Sequence, residues 1–371
     1  MASAPIPIKI TWLRAGETLS IAAVGGVTLT WLGFPAGLVT GSLLGVAIAA
    51  LAGRPVSVPV PLSRVISILV GISLGAVVTP ETLKGLVTFP LSVAVLAVST
   101  LCMIVATTAY LRFVHGWDAQ SALLGASPGA LAQVMVLSAA YKADLRAIAV
   151  VQTLRVVALT IGIPAGLGLF GLTAEGGIMV RLGGAGPASF AELAILAGVS
   201  TVSALVVWRL QLPGGLMFGA MLGSGFLHGG GFIAAALPWW VAGAAVIGIG
   251  AVTGSRFANT NLRTLLRFLG PALGSFAVAV AIASLFVLLL TTLLAVPIAD
   301  AVVAFAPGAQ DTMMVLALAL HLDPVFIGAL HLSRFLLVSI LMPFLAHRMQ
   351  RGIPKAKRER PPGATRPTIE D

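Results

Sequence analysis

Charge is what this chain has least of. Asp, Glu, Lys and Arg make up 9% of its 371 residues, against about 25% in an ordinary soluble domain. That deficit excludes a water-facing surface wrapped around a globular core. A single cysteine, Cys102, excludes an intramolecular disulfide and any multi-thiol metal site. His115, His228, His321 and His347 fit no metal-ligand spacing, so neither a metal nor a cofactor is expected. No GxxxxGK[ST] loop occurs, which argues against a primary ATP-driven pump within this chain. The apolar residues do not alternate with period two, as those of a membrane barrel would.

What the sequence has in quantity is apolar residues, 58% of the chain. They come in runs of about 18–30, long enough to cross a hydrocarbon core of about 30 Å. Helices satisfy their own backbone in lipid, so the expected fold is all-α, a polytopic helical membrane protein with about 10–12 transmembrane helices. Loop signals place spans near 18–33, 35–52, 63–79, 89–111, 119–140 and 145–170. After a Gly-rich connector at 171–187 come 189–208, 213–232, 237–254, 268–296, 299–320 and 324–347. The segments 119–140 and 299–320 are less uniformly apolar than the others.

The formal net charge is +10, and much of it lies in the tail, with Arg348, Arg351, Lys355, Lys357, Arg358, Arg360 and Arg366. Because this basic run directly follows a hydrophobic span, it reads as a cytoplasmic tail touching lipid head groups rather than as a nucleic-acid contact. Pro361, Pro362 and Pro367 mark it as disordered. Lys9 and Arg14 precede the first apolar run without a convincing cleavage site, as expected of an uncleaved first span with its N-terminus inside.

Internal repetition organises the rest. Residues 121–164 align with 300–343 without a gap, at a constant offset of 179. Pro128 falls on Pro307, Gly129 on Gly308, Met135 on Met314, Asp144 on Asp323, Arg155 on Arg334 and Pro164 on Pro343. FPAGLVTGSLLG at 34–45 pairs with LPGGLMFGAMLG at 212–223. The organisation expected is an N-terminal tail and first span (1–33), a first membrane repeat (34–170), a connector with an extra span (171–211), a second repeat (212–347) and the basic tail (348–371). Six spans per half would give both copies one orientation; five plus an extra span would invert them. With twelve spans and an inside C-terminus, Arg256, Arg263 and Arg267 fall outside, against the positive-inside rule.

The Ser127-Pro128-Gly129 and Pro307-Gly308 steps predict breaks, since Pro lacks an N–H and Gly admits irregular backbone. They are either packing kinks or discontinuous helices whose half-helix ends face a ligand, and a break in each half points to the latter. Arg155 and Arg334 each follow an Asp by eleven residues. That is roughly 16 Å along a helix and nearly three whole turns, so Asp and Arg share a face and the Arg lies deep. An Arg there either bonds the carbonyls of a broken helix or recognises an anion or carboxylate. Asp144 and Asp323 read as helix caps, the latter with Pro324 at the first helical position. The halves differ where Asp311 opposes Ala132, Thr312 opposes Gln133 and His331 opposes Gln152. Asp311 is a candidate for a coupling proton or cation, or for pairing with an intramembrane Arg; His331 is a candidate titrating group or a satisfied packing histidine. Gly215, Gly219 and Gly223 form a small-xxx-small face for close helix packing.

The duplicated set of Pro-Gly, Asp, Gln or His, Arg and Pro resembles the bacterial AbrB family of polytopic membrane proteins with a duplicated domain. The resemblance covers nearly the whole chain except its two tails, and it rests on Pro128, Gly129, Met135, Asp144, Gln152, Arg155 and Pro164 with their second-copy partners. It implies broken-helix repeats related to those of cation antiporters and anion transporters. Members are described as regulators of gene expression or labelled ammonia monooxygenase; an unrelated soluble transition-state regulator shares the name and is not resembled. The expectation is therefore a secondary transporter of a small, anionic solute in the bacterial inner membrane, with Ser127, Pro128, Gly129, Gln133, Gln152, Arg155, Pro307, Gly308, Asp311, Thr312, His331 and Arg334 at the site. The alternative is a membrane regulator acting indirectly. A monooxygenase is least expected, because scattered histidines supply no copper or iron set. Partners expected are membrane lipid, the solute, no nucleic acid, and a second copy of the chain as a further candidate; no enzymatic activity is expected.

Overall fold

The computed structural model describes residues 8–78, 89–129, 131–172, 189–210, 215–260 and 262–351, with the side chains of 8–11, 131–133, 259 and 350–351 outside the description. The connector from 173 to 188 and the tail beyond Arg351 therefore lie outside it too. Among the described residues every regular element is helical. In the first half these are α1 (Ile8–Trp31), α2 (Gly37–Leu51), α3 (Val60–Gly75), α4 (Phe89–Phe113), α5 (Ala119–Ala126), α6 (Leu131–Ala140) and α7 (Leu145–Leu169). In the second they are α8 (Phe190–Arg209), α9 (Gly215–Gly229), α10 (Trp239–Gly254), α11 (Leu262–Leu293), α12 (Ile298–Phe305), α13 (Gln310–Ala319) and α14 (Pro324–Arg351). A short 3-10 turn, Ser255–Asn259, separates α10 from α11. Six of these helices are long and apolar enough to cross a membrane, and the chain is a multi-pass membrane protein.

The sequence offset of 179 is also a structural one: α5 maps onto α12, α6 onto α13, and the start of α7 onto that of α14. α1 and α8 correspond as well, and each packs antiparallel on the next helix through a glycine face. Gly37, Gly41 and Gly45 of α2 meet α1 at Thr30, Gly25 and Ile21, while Gly215, Gly219 and Gly223 of α9 meet α8 at Trp208, Ala204 and Ser200. Lipid offers no hydrophobic drive for helices to associate, so such close backbone approach supplies the packing energy instead. The first span starts at Ile8, well before position 18. Lys9, Arg14 and Glu17 lower the hydropathy of its N-terminal part, where Glu17 pairs with Arg54 of the α2–α3 connection at 3.2 Å.

The two halves interlock. α3 packs parallel to α9, with Gly71 against Met217 and Ala220 and Gly75 against Met221 and Ser224. α10 packs parallel to α2 in the same manner, with Gly250 against Val39 and Ser42 and Gly254 against Leu43 and Val46. Gly71 and Gly75 plus 179 are Gly250 and Gly254, so one contact is made twice by a pseudo-two-fold. Ser224 Oγ donates to Ile72 O at 2.8 Å across the α9–α3 seam. These four short helices are the central scaffold.

Segments 119–140 and 299–320 do not cross. Each is a hairpin of two half-helices that enters and returns on one side. The Asp144 N–H, just after α6, donates to Ser121 Oγ at the start of α5 (2.8 Å). Equivalently, the Asp323 N–H donates to Asp300 Oδ1 at the start of α12 (2.9 Å). The return turn is identical in both copies, with Lys142 and His321 in the left-handed region. The physical reason is the Pro-Gly break at the tip, which frees the chain to reverse where a continuous helix would carry on.

The hairpins enter from opposite sides. Gln120 Nε2, beside the base of the first hairpin, donates to Ala346 O near the C-terminal end of α14 (2.9 Å). Ile148 near the start of α7 shares a buried cluster with Val338, Met342 and Ala346 of α14. So α7 and α14 run antiparallel, and the repeats are inverted. Each half then has five helices besides its hairpin.

Candidate functional site

Each hairpin is bound to the long helix that follows it by three matched hydrogen bonds. The base bond is described above. Midway, Gln152 Nε2 donates to Leu124 O (3.1 Å) in the first half, and His331 Nε2 to Val303 O (3.1 Å) in the second. At the tip, Arg155 Nη2 donates to Ser127 O (2.8 Å) and Arg334 Nη1 to Ala306 O (2.7 Å). Leu124 and Val303, and Ser127 and Ala306, are 179 residues apart. The carbonyls at the ends of α5 and α12 carry the negative end of the helix dipole, so a guanidinium there is electrostatically favoured.

Asp144 and Asp323 start the long helices. Asp144 Oδ1 accepts from the N–H groups of Arg146 and Ala147 (both 3.0 Å); Asp323 Oδ1 accepts from Val325 (2.8 Å) and Phe326 (3.1 Å). Each Asp therefore lies at the hairpin base and each Arg at the tip, on one face of the helix.

The two tips meet inside the protein. A Cβ on Gly129 would stand 3.8 Å from Gly308 O. The space between them is lined by Pro128, Gly129, Gly308, Gln310, His331, Arg334 and Phe335 and holds about 10 Å³, room for one water. Gly129 has φ +75°, a backbone that disfavours any side chain. Arg155 and Arg334 are 5% and 2% exposed, and each is within Coulombic reach of the other. Arg155 Nε, Ser127 Oγ, Gln310 Nε2 and Thr312 Oγ1 are buried there without a hydrogen-bond partner. The first turn of α13 adds backbone N–H groups that no helical carbonyl can take.

The halves are not equivalent in detail. Arg334 Nη1 also reaches Phe305 O (3.4 Å), and its Nη2 donates to His331 Nδ1. Arg has no acceptor, so His331 accepts at Nδ1 and donates at Nε2, the bonding of a neutral imidazole. His331 is thus a bridge between Arg334 and the hairpin. His331→Ala leaves a buried carbonyl and a guanidinium N–H unpaired and is expected to cost about 1–3 kcal/mol. His331→Gln, which copies Gln152, keeps the carbonyl bond and costs less; thermal unfolding in detergent compares the two.

Of the expected site residues, Ser127, Pro128, Gly129, Gln152, Arg155, Pro307, Gly308, Thr312, His331 and Arg334 lie on the hairpins or on the faces that hold them. The Gln133 side chain lies outside the described residues. Asp311, half-buried in the first turn of α13, makes no ion pair among the described residues. Sequence reasoning missed Ser121 and Asp300, which close the bases of the two hairpins.

A family model described as transition state regulatory protein AbrB matches residues 38–350. A protein of Escherichia coli (strain K12) named "Putative regulator AbrB" is 26% identical over 323 residues, covering 86% of this chain and 92% of that protein. A second relative, "Uncharacterized protein YhjN" of Bacillus subtilis (strain 168), is 23% identical over 351 residues, covering 88% of this chain and 90% of its own length.

Proposed function

The chain belongs to the AbrB family, and we propose that it is a secondary transporter whose site, at the meeting of the two hairpins, takes a small anion. One observation carries this reading: two arginines, one from each inverted half, are buried at the tips, and among the described residues neither forms an ion pair with a carboxylate. Uncompensated charge in a membrane interior is expensive and marks a solute path. The carbonyl bonds occupy only part of each guanidinium, which has five N–H donors. An anion accepting from the remainder, from Thr312 and from the first turn of α13 would neutralise the pair. A cavity of about 10 Å³ admits no organic solute, so binding requires the tips to separate. Inverted repeats permit that separation on one side at a time, which is alternating access. The reading assigns binding and passage, not catalysis.

The orientation that goes with it has the start of α1 and the end of α14 on the cytoplasmic side of a bacterial inner membrane. Five crossings per half then put Arg54, Arg112, Lys142, Arg209, Arg263 and Arg267 on the same face as Arg348 near the end of α14. This distribution obeys the positive-inside rule and removes the violation met with twelve spans.

The test is a thermal-shift screen of purified protein against organic acids, inorganic anions, amino acids and cations. Anions should raise the melting temperature, and cations or neutral amino acids should not. Stabilisation by cations alone would refute the reading. The name of the Escherichia coli relative favours a second reading, a regulator; a protein that binds an anion but shows no flux in liposomes would favour a sensor over a transporter.

A further inference from the structure

One side of the first hairpin carries buried polar atoms that nothing satisfies. Thr100, Thr107 and Thr108 of α4 have buried hydroxyl oxygens without a hydrogen-bond partner among the described residues. A helical threonine can turn its hydroxyl to the carbonyl four residues back, and Thr18, Thr30, Thr153, Thr160 and Thr253 do so in this chain. The α4 hydroxyls do not, although Thr100 and Thr107 are 0% and 2% exposed. They share the face of α4 that meets the hairpin. Ile104 belongs to one buried cluster with Leu123 and Leu124 of α5, and Leu111 stands 3.4 Å from a Cβ built on Gly125. Thr100 precedes Ile104 by four residues, and Thr107 and Thr108 lie between Ile104 and Leu111 at the three- and four-residue steps that keep one helix face. The hairpin adds unpartnered atoms of its own, Gln120 Oε1 at its base and Ser127 Oγ at its tip.

The second half repeats none of this. Positions 100, 107, 108, 120 and 127 correspond, at the offset of 179, to Ala279, Phe286, Val287, Ala299 and Ala306, all apolar. The correspondence holds in space as well, because Leu96 and Ser275, Ile104 and Ala283, and Leu111 and Leu290 are buried in their respective copies. So α11 packs on α12 through hydrocarbon, where α4 offers hydroxyls to α5. Buried hydroxyls are costly unless water or another polar group meets them.

We infer that the seam between α4 and the first hairpin is the route by which water and a small polar solute reach the crossing from the cytoplasmic side, and that the equivalent seam of the second half is closed to them. The inference rests on the anion-site reading and on the orientation that goes with it, which puts the base of the first hairpin at the cytoplasmic face. As the hairpin parts from α4, Gln120 at the base, the three threonines alongside and Ser127 at the tip replace the hydrogen bonds that the solute gives up with its water. Access from the opposite face takes a different path, so the two inverted copies are not interchangeable gates.

Single cysteines in the full-length protein read the route, with a small, negatively charged methanethiosulfonate as probe of membrane vesicles. Native Cys102 is the lipid-side control: it is exposed and lies two residues from both Thr100 and Ile104, on the far side of α4. In a Cys102→Ala background, Thr100→Cys and Thr107→Cys should react in inside-out vesicles about tenfold or more faster than Cys102, or than Ala279→Cys and Phe286→Cys from either face, because the thiolate is the nucleophile and apolar surroundings suppress it. Ser127→Cys reports arrival at the tip. Adding Thr100→Val and Thr107→Val, which keep the shape and remove the hydroxyls, should slow that labelling severalfold without lowering the melting temperature. The inference is overturned, and the anion site left standing, if Thr100→Cys and Thr107→Cys react no faster than the controls while Ser127→Cys still labels from inside. Equal rates for the two seams, or labelling of Ser127→Cys that the valines leave unchanged, overturn it too. A Ser127→Cys variant silent from both faces would remove the anion-site reading and this inference with it.

Discussion

Alanine at Arg155 is expected to eliminate anion-induced stabilisation, with loss of affinity between about 30-fold and a few thousand-fold. The range follows from the roughly 2–5 kcal/mol that truncating one partner of a buried, hydrogen-bonded charge contact costs. Alanine at Arg334 should be equally disabling for binding but worse for the fold. Arg155 gives up one carbonyl bond, to Ser127. Arg334 gives up bonds to Phe305, Ala306 and His331, and each buried acceptor left unpaired costs about 1–3 kcal/mol. Thermal unfolding of the two variants without solute should therefore separate them, with Arg334→Ala melting lower. Lysine at position 155 keeps the charge but not the planar fork, so it should recover only part of the affinity. Full wild-type binding in both alanine variants would show that the arginines only tie down the hairpins.

The second large effect concerns packing far from the site. A side chain at Gly41 runs into the backbone of Gly25, and one at Gly25 runs into Gly41. The obstacle is main chain rather than the end of a flexible side chain, so the α1–α2 pair must separate to admit it. Overpacking of this kind costs typically about 1–3 kcal/mol and more where backbone must move. Gly41→Leu is expected to fall at the upper end and to give a chain that aggregates in detergent. Gly162 of α7 is the control, since nothing stands within 4 Å of a Cβ there. Alanine at 162 should be neutral or slightly stabilising, because glycine inside a helix costs about 1 kcal/mol relative to alanine. Size-exclusion profiles of the two variants decide the matter.

The sequence was most informative where duplication repeated residues that apolar composition cannot explain. Pro128 with Pro307, Asp144 with Asp323 and Arg155 with Arg334 mark the tips, bases and clasps of the two hairpins. Their spacing of eleven residues correctly put Asp and Arg on one face, because helical periodicity is local. The hairpins themselves were not legible. An apolar segment of about 20 residues with a Pro-Gly break has the same composition whether it crosses or returns. Only the contacts of Asp144 with Ser121 and Asp323 with Asp300, across 23 residues of chain, distinguish the two. That one ambiguity hid the inversion, since counting each hairpin as a span changes five crossings per half to six. It also made Arg263 and Arg267 look misplaced.

The central claim is that two equivalent hairpins enter the membrane from opposite faces and meet at their arginines. Cysteines at Lys142 and His321, which occupy the same position in the two return turns, test it in a Cys102→Ala background. A membrane-impermeant maleimide is applied to right-side-out and inside-out vesicles. The 142 cysteine should label only in inside-out vesicles and the 321 cysteine only in right-side-out ones. Labelling of both from the same face would contradict the inverted architecture and the site built on it.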